Sequence, residues 1–289
     1  MTNHLLQETP RRAIRRSPRR GGYIGLVDTD RKELRERIAV AWGRFDRQAR
    51  AAAPDARVPR SEWTVQQTVA HVLTVAHRYV AVARGDDYRH AGHPREVNVI
   101  NQEELAAVMA PVSELADQLQ ALAPEMDAYF DALADRAGTF PFHHTEADSV
   151  TAQTNWLGEL LFHGHDIARA VKARWELPER DIALVLRGTL QLADAWLRCD
   201  TGAATDTCVA LEIHGARPYL IHIHGGRAEI RERRAEDRPD AVLKGPASLF
   251  MQLLYQRTGP LGATLRGLRI VGGRRPWLAL RLQSCFERP

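Results

Sequence analysis

Apolar residues recur at helical spacing from about residue 30. In DRKELRERIAVAWGRFDRQARAA, Leu34, Ile38, Ala41, Trp42 and Phe45 form one stripe, which predicts a helix starting near Asp28 or Asp30 and stopped by Pro54 and Pro59. SEWTVQQTVAHVLTVAHRYVAVARG predicts a second helix, capped by Ser61 or Thr64 and ended by Gly85, with Val65, Val69, Val72, Ala76 and Tyr79 as its apolar stripe. Residues 86–100 are polar and read as a loop. A third helical region opens at Asn101, whose partner Glu104 makes a pair resembling a capping box, and runs towards Arg136, bent or broken at Pro111 and Pro124. GTFPFHHTEADS is a connection, and a fourth helix spans about 150–173. Four such helices suggest a bundle.

Past Pro178 the period changes. One more helix fits ERDIALVLRGTLQLADAWLR. Short alternating runs follow, CVALEIHG, YLIHIHGG, AEIRERR and AVLKG, with Gly215, Gly225 and Gly226 as turn residues. PASLFMQLLYQR predicts a helix with Pro246 at its first position, LRGLRIVGG a strand, and RPWLALRLQSCF a final helix. The expected organisation is an extension over 1–27, a helical bundle over 28–175 and a smaller α+β unit over 176–289.

Composition adds limits. In 289 residues, 44% are apolar, enough for a core, and no apolar run is long enough to predict a transmembrane helix. Three scattered cysteines, Cys199, Cys208 and Cys285, make no disulfide framework, which points to a reducing, cytoplasmic setting. The net charge of +4 comes from the start of the chain: residues 1–22 hold six arginines and one glutamate, leaving the body near neutral. That argues against nucleic acid as a partner of the body. The segment PRRAIRRSPRRGG has no apolar stretch after its arginines, so it reads as a disordered arm rather than an export signal. The 37 arginines against three lysines reflect a GC-rich genome.

The chemistry concentrates in GELLFHGHDIARA. Glu159 and His163, four apart, share one helix face, and Asp166, three further on, extends the stripe; His165 faces elsewhere. A carboxylate and an imidazole so spaced can hold two positions of a divalent ion, and His71, at the edge of the second helix's apolar stripe, is the candidate third ligand. Spacing alone equally allows a hydrogen-bonded core histidine and a solvated face of ion pairs, such as Asp166 with Arg169.

EWTVQQTVAHV and GELLFHGHDIARA together resemble the paired signatures of the mycothiol-dependent maleylpyruvate isomerase family, among the DinB-like metal-binding four-helix bundles. Trp63, Thr64 and His71 fit the first signature; Glu159, Leu160, His163, Gly164, Asp166, Ala168 and Ala170 fit the second. The resemblance covers roughly residues 30–175. It implies that His71, Glu159 and His163 hold a divalent ion, typically zinc, and that Asp166 orients a ligand or acts in catalysis. It implies an SCP2-like C-terminal α+β unit, one helix of which ends in an arginine near the site; Arg257 in SLFMQLLYQRTG occupies that place, preceded by Gln256 where the family often has glycine. The implied activity uses mycothiol as cosubstrate. Its thiolate adds to a small electrophile and either leaves again after bond rotation, giving isomerisation, or stays, giving S-transfer. The arginine bias agrees with an actinobacterial source, where mycothiol is the usual thiol.

Two other readings stand beside this one. In the first, the chain is a ligand-binding protein with an apolar pocket in its C-terminal unit and a non-catalytic bundle. In the second, it associates with nucleic acid through the arginine-rich arm, which the near-neutral body disfavours.

Overall fold

Helix α1 (Arg31–Ala51) begins where Asp30 accepts a hydrogen bond from the Glu33 N–H, and its expected stripe is buried. Helix α2 (Val65–Arg84) opens on a capping box of Thr64 and Gln67 and ends at Gly85, whose φ of 76° is the left-handed geometry that stops a helix. These helices belong to a computed structural model that describes residues 26–134, 140–143, 145–198 and 205–287. The arginine-rich arm therefore lies, up to residue 25, outside the described residues, as does Cys199; Cys208 and Cys285 are free thiols. Leu26 and Val27 are buried, and the Leu26 carbonyl accepts from the Arg217 N–H at 2.8 Å. These two residues, counted with the extension on sequence grounds, are thus packed against the rest of the chain.

The stretch expected as a loop over 86–100 contains the start of helix α3 (Pro94–Val108), with Pro94 in its first turn and the His93 side chain accepting from the Arg95 N–H. Asn101 lies inside this helix rather than at its cap. Pro111 separates it from α4 (Val112–Ala134), which carries Pro124 without ending; its expected end near Arg136 lies outside the described residues. A proline inside a helix costs roughly 3 kcal/mol. Leu115, Leu119, Met126 and Phe130, all buried on either side of Pro124, offset it at about 1.5–3 kcal/mol each. The expected connection after α4 folds into a short hairpin, β1 (Phe140–Phe142) with β2 (Thr145–Ala147). Helix α5 (Ser149–Ala170) follows, with Asp148 capping the Thr151 N–H.

Helices α1, α2, α4 and α5 pack as the bundle, and α3 lies along α2. Trp156 is its centre, fully buried and edge-on to Trp42 at 5.0 Å. Among the described residues, no helix is long and apolar enough to cross a membrane.

Helix α6 (Glu179–Leu192) packs on α5. The approach is close because two glycines face it: a Cβ on Gly188 would sit 2.1 Å from Thr154 Oγ1, and one on Gly158 would meet Val185 at 3.0 Å. The sheet beyond has the order β5-β4-β3-β6-β7, with β3 (Thr207–Ile213) parallel to β6 (Ala241–Gly245) and the other neighbours antiparallel. Strands β4 (Tyr219–His224) and β5 (Arg227–Glu232) join through Gly225 and Gly226, both at positive φ, the geometry of a tight hairpin turn. Helix α7 (Ala247–Leu254) starts after Pro246; its first amide and the Ser248 hydroxyl donate to Glu179 of α6. A short helix α8 (Pro260–Leu265), not foreseen from the pattern, precedes β7 (Arg269–Gly272). The expected final helix, Pro276–Cys285, winds as a 3-10 helix. At three residues per turn its buried residues Ala279, Leu282 and Cys285 fall on one face.

The fold is thus a helical N-terminal region followed by an α+β unit. One cluster of buried apolar side chains runs without a break from α1 and α2 through α5 and α6 into β3, β4 and α7.

Candidate functional site

Three of the expected site residues face one another where α2 meets α5. The apolar stripe of α2 carries His71 into the interior, and the i, i+4 spacing on α5 aligns Glu159 with His163. Glu159 Oε2 lies 3.1 Å from His163 Nε2 and 3.6 Å from His71 Nε2. One ligand atom from each of the three lies within 4.8 Å of the others. The donor set suits a divalent ion of the zinc class: two ligands about 2.1 Å from a tetrahedral centre are about 3.4 Å apart, close to the spacings present. The Trp63 ring lies over His71 with centroids 4.7 Å apart and helps exclude water from that side.

Burial sets the charge states. It disfavours the imidazolium of His71 and lowers its pKa to about 4, so that ring is neutral near pH 7. Burial alone would raise Glu159, but its contacts with His163 and His71 reverse the sign and the carboxyl lies below its usual range. His163 is likewise pulled down by burial and carried upwards overall by Asp166 and Glu159.

Asp166 Oδ2 lies 3.6 Å from His163 Nδ1, on the side of the ring away from Glu159. Asp166 is buried, and Arg257 is its counter-ion: Nε lies 3.0 Å from both carboxylate oxygens and Nη2 donates to Oδ2 at 2.6 Å. Burial pushes the Asp166 carboxyl up, but the Arg257 charge overrides it and holds the group well below the ordinary range. The guanidinium also lies over the Phe162 ring at 5.2 Å and the Tyr255 ring at 5.5 Å. Arg257 therefore faces the same cavity, with its fork engaged by Asp166. Arg169, the partner considered for Asp166 on sequence grounds, instead donates to the Arg257 carbonyl at 3.5 Å.

The turn after α7 delivers Arg257. Gln256 has a φ of 58°, and the Arg257 N–H donates back to the Gln252 carbonyl at 2.8 Å, so the chain reverses and the guanidinium crosses to α5. Glycine is the residue that takes such a φ without a steric penalty. Gln256 adopts it with a side chain in place. Gly164 has a different cause: a Cβ there would lie 2.3 Å from the Trp175 ring, which packs directly on the helix backbone.

These groups line a cavity of about 400 Å³ between the bundle and the α+β unit. Its other arm holds a polar network that sequence reasoning missed. Arg78 donates to Glu104 at 2.6 and 2.8 Å and to Asn101, and Tyr88 donates to the other Glu104 oxygen at 2.7 Å. His143, from the β1–β2 hairpin, stands 3.5 Å from Arg78. The available signal was the seven-residue interval from His71 to Arg78, two helical turns on one face. His165 and His77 do not line the cavity. A second cavity, within the α+β unit beneath α8 and the 3-10 helix, is apolar and encloses about 50 Å³.

A helical region with a His–Glu–His set, closed by an arginine from a following α+β unit, defines a class of two-part proteins with one shared cleft. Residues 35–168 match the family model of the mycothiol maleylpyruvate isomerase N-terminal domain. Among solved structures, the fold is similar to that of the mycothiol-dependent maleylpyruvate isomerase, with a TM-score of 0.55 and 14% identity over 85% of this chain and 95% of that one. A mutant of that enzyme matches with a TM-score of 0.55 and 13% identity, over the same shares of the two chains. No curated protein matches this chain.

Proposed function

We propose that the chain is an enzyme of the mycothiol-dependent maleylpyruvate isomerase type, using a low-molecular-weight thiol to isomerise, or transfer sulfur to, a small electrophile. The observation that carries this reading is the convergence of His71, Glu159 and His163 with the Asp166–Arg257 pair in one cavity built by both parts of the chain. His71, Glu159 and His163 would hold a divalent ion, zinc by the donor set. When bound, such an ion supplies the Lewis acidity that favours the thiolate form of the cosubstrate at neutral pH.

The side chains have separate tasks. Burial keeps His71 in the neutral form that a metal ligand requires, and Glu159 is held ionised. Asp166 fixes the orientation of the His163 ring through its second nitrogen, and Arg257 anchors Asp166 from the other unit. In isomerisation the sulfur adds to an alkene carbon conjugated to a carbonyl, the former double bond rotates, and loss of the thiolate restores the alkene. In S-transfer the adduct takes up a proton and is released. A cavity of about 400 Å³ falls within the several hundred Å³ usual for small-molecule sites. The reading as a ligand carrier with its pocket in the α+β unit has less support, since the cavity lined by described residues of that unit alone is about 50 Å³.

The test is elemental analysis of purified, untagged protein, followed by an assay of maleylpyruvate isomerisation with mycothiol and of mycothiol consumption against a panel of electrophiles. His163→Ala should release the metal and abolish thiol-dependent turnover. A His163→Ala variant with wild-type metal content and turnover would overturn the assignment.

A further inference from the structure

A second constellation of metal-ligand type lies outside the cavity, on the outer face of the sheet. We propose that His222, His224 and Glu229 form a surface site for one divalent transition-metal ion of the zinc class, clipping the β4–β5 hairpin.

Pairing register places these groups together. His222 on β4 is the direct antiparallel partner of Glu229 on β5, and side chains of such partners share a face with Cβ atoms about 4.5–5.5 Å apart. His224, two residues on, projects to the same face. Residues spaced in this way are separated by about 7 Å along a strand, yet the two imidazole rings lean together to a centroid distance of 4.3 Å. His224 Nε2 lies 3.7 Å from Glu229 Oε2. One ligand atom from each of the three lies within 4.8 Å of the others, as at the bundle site. Asp206, just before β3, puts Oδ1 3.2 Å from His222 Nε2 and can complete a fourth position.

The donors decide the ion. Two imidazoles with one or two carboxylates suit zinc, nickel or copper(II); calcium and magnesium favour sites built from oxygen alone. The scaffold is short and fixed, because only Gly225 and Gly226 separate the two strands, so the ligands are held near one another before any ion arrives. A bound ion would tie β5, an edge strand of the sheet, to its neighbour through side chains as well as backbone.

The experiment uses the untagged full chain, stripped with a chelator, then dialysed to equilibrium against about 100 μM zinc and analysed for zinc per chain. The His222→Ala/His224→Ala variant should bind one zinc fewer than the wild type, and magnesium should not substitute. These two side chains are 37% and 48% exposed, so the variant should keep its fold, which far-UV circular dichroism checks. A His71→Ala/His163→Ala variant should retain the surface equivalent. Equal zinc content in the wild type and the His222→Ala/His224→Ala variant overturns the proposal, whether or not the bundle variant folds. Loss of zinc from the sheet variant with none from the bundle variant would support the surface site and count against the bundle site, so the two assignments fail separately.

Discussion

Single side chains decide whether the cleft holds together. Asp166 is buried between an imidazole and a guanidinium, so replacing it with asparagine removes the charge that both neighbours face while keeping the shape. Asp166→Asn should lower turnover about 10–100-fold with metal still bound, the range seen when a group that orients a metal ligand is altered. Arg257→Lys should act in the same direction, because an ammonium cannot reproduce the fork on Asp166. An unchanged turnover number in Arg257→Lys would reduce Arg257 to a structural helix end. Gln256 offers a test of opposite sign. With φ at 58°, Gln256→Gly should raise stability by about 0.5–1 kcal/mol, read as a higher melting temperature. A lower melting temperature would show that Gln256 contributes contacts outweighing its backbone strain. The metal-ligand candidates were legible in the sequence because i, i+4 spacing is a property of any helix. The Arg257–Asp166 contact was not: the family resemblance placed Arg257 near the site, but its partner depends on a left-handed turn that no periodicity records.

At the scale of elements, periodic segments were read well and polar ones poorly. Helices α1, α2 and α5 bury continuous stripes and carry capping residues of their own, so pattern and structure agree. Helix α3 was missed at its start because Gly92 and Pro94 read as breakers and its early apolar residues are few: Val97 and Ile100 bury in a small cluster with Ala91 and Trp196, apart from the main core. What supports it comes from elsewhere in the chain, through Arg78 to Asn101 and Glu104 and through Arg95 to Glu287. The same kind of distant pairing joins α1 to α6: Glu33 accepts from Arg180 at 2.6 and 2.9 Å and from Arg37 at 2.8 Å, while Arg37 reaches Asp181. Hydrogen bonds from Arg180 and then Arg37 lower the Glu33 carboxyl from 4.5 to about 2. A carboxylate whose folded pKa is depressed stabilises fully above its unfolded value and loses that contribution as pH falls through the folded one. The stability difference between wild type and Glu33→Gln should therefore be about 1–2 kcal/mol at pH 7 and shrink between pH 4.5 and about 2. Urea titrations of both proteins across that range measure it, and a difference independent of pH would show that the ion pairs contribute nothing.

At the scale of the molecule, the division expected near residue 176 falls between α5 and α6, two helices packed on each other, and the buried core crosses it. Helix α6 packs against α5 through Gly158 and Gly188, and Leu26 and Asp28, ahead of the bundle, bond to Arg217 and Arg180 in the second unit. The chain should unfold in one cooperative transition, with the fluorescence of its six tryptophans coinciding with far-UV circular dichroism. Two separated transitions would mean that the units are thermodynamically independent. The division of labour across the cleft also bears on how such a protein can diversify. The His–Glu–His set stands on two rigid helices, whereas Tyr255, Gln256 and Arg257 reach the same cavity from one turn of the other unit. Variation confined to Tyr255 and Gln256 alters the wall of that cavity while leaving Arg257, Asp166 and the three candidate ligands in place. A lineage, or a mutant library restricted to those two codons, can thus change what the cavity admits without touching the residues proposed to hold an ion.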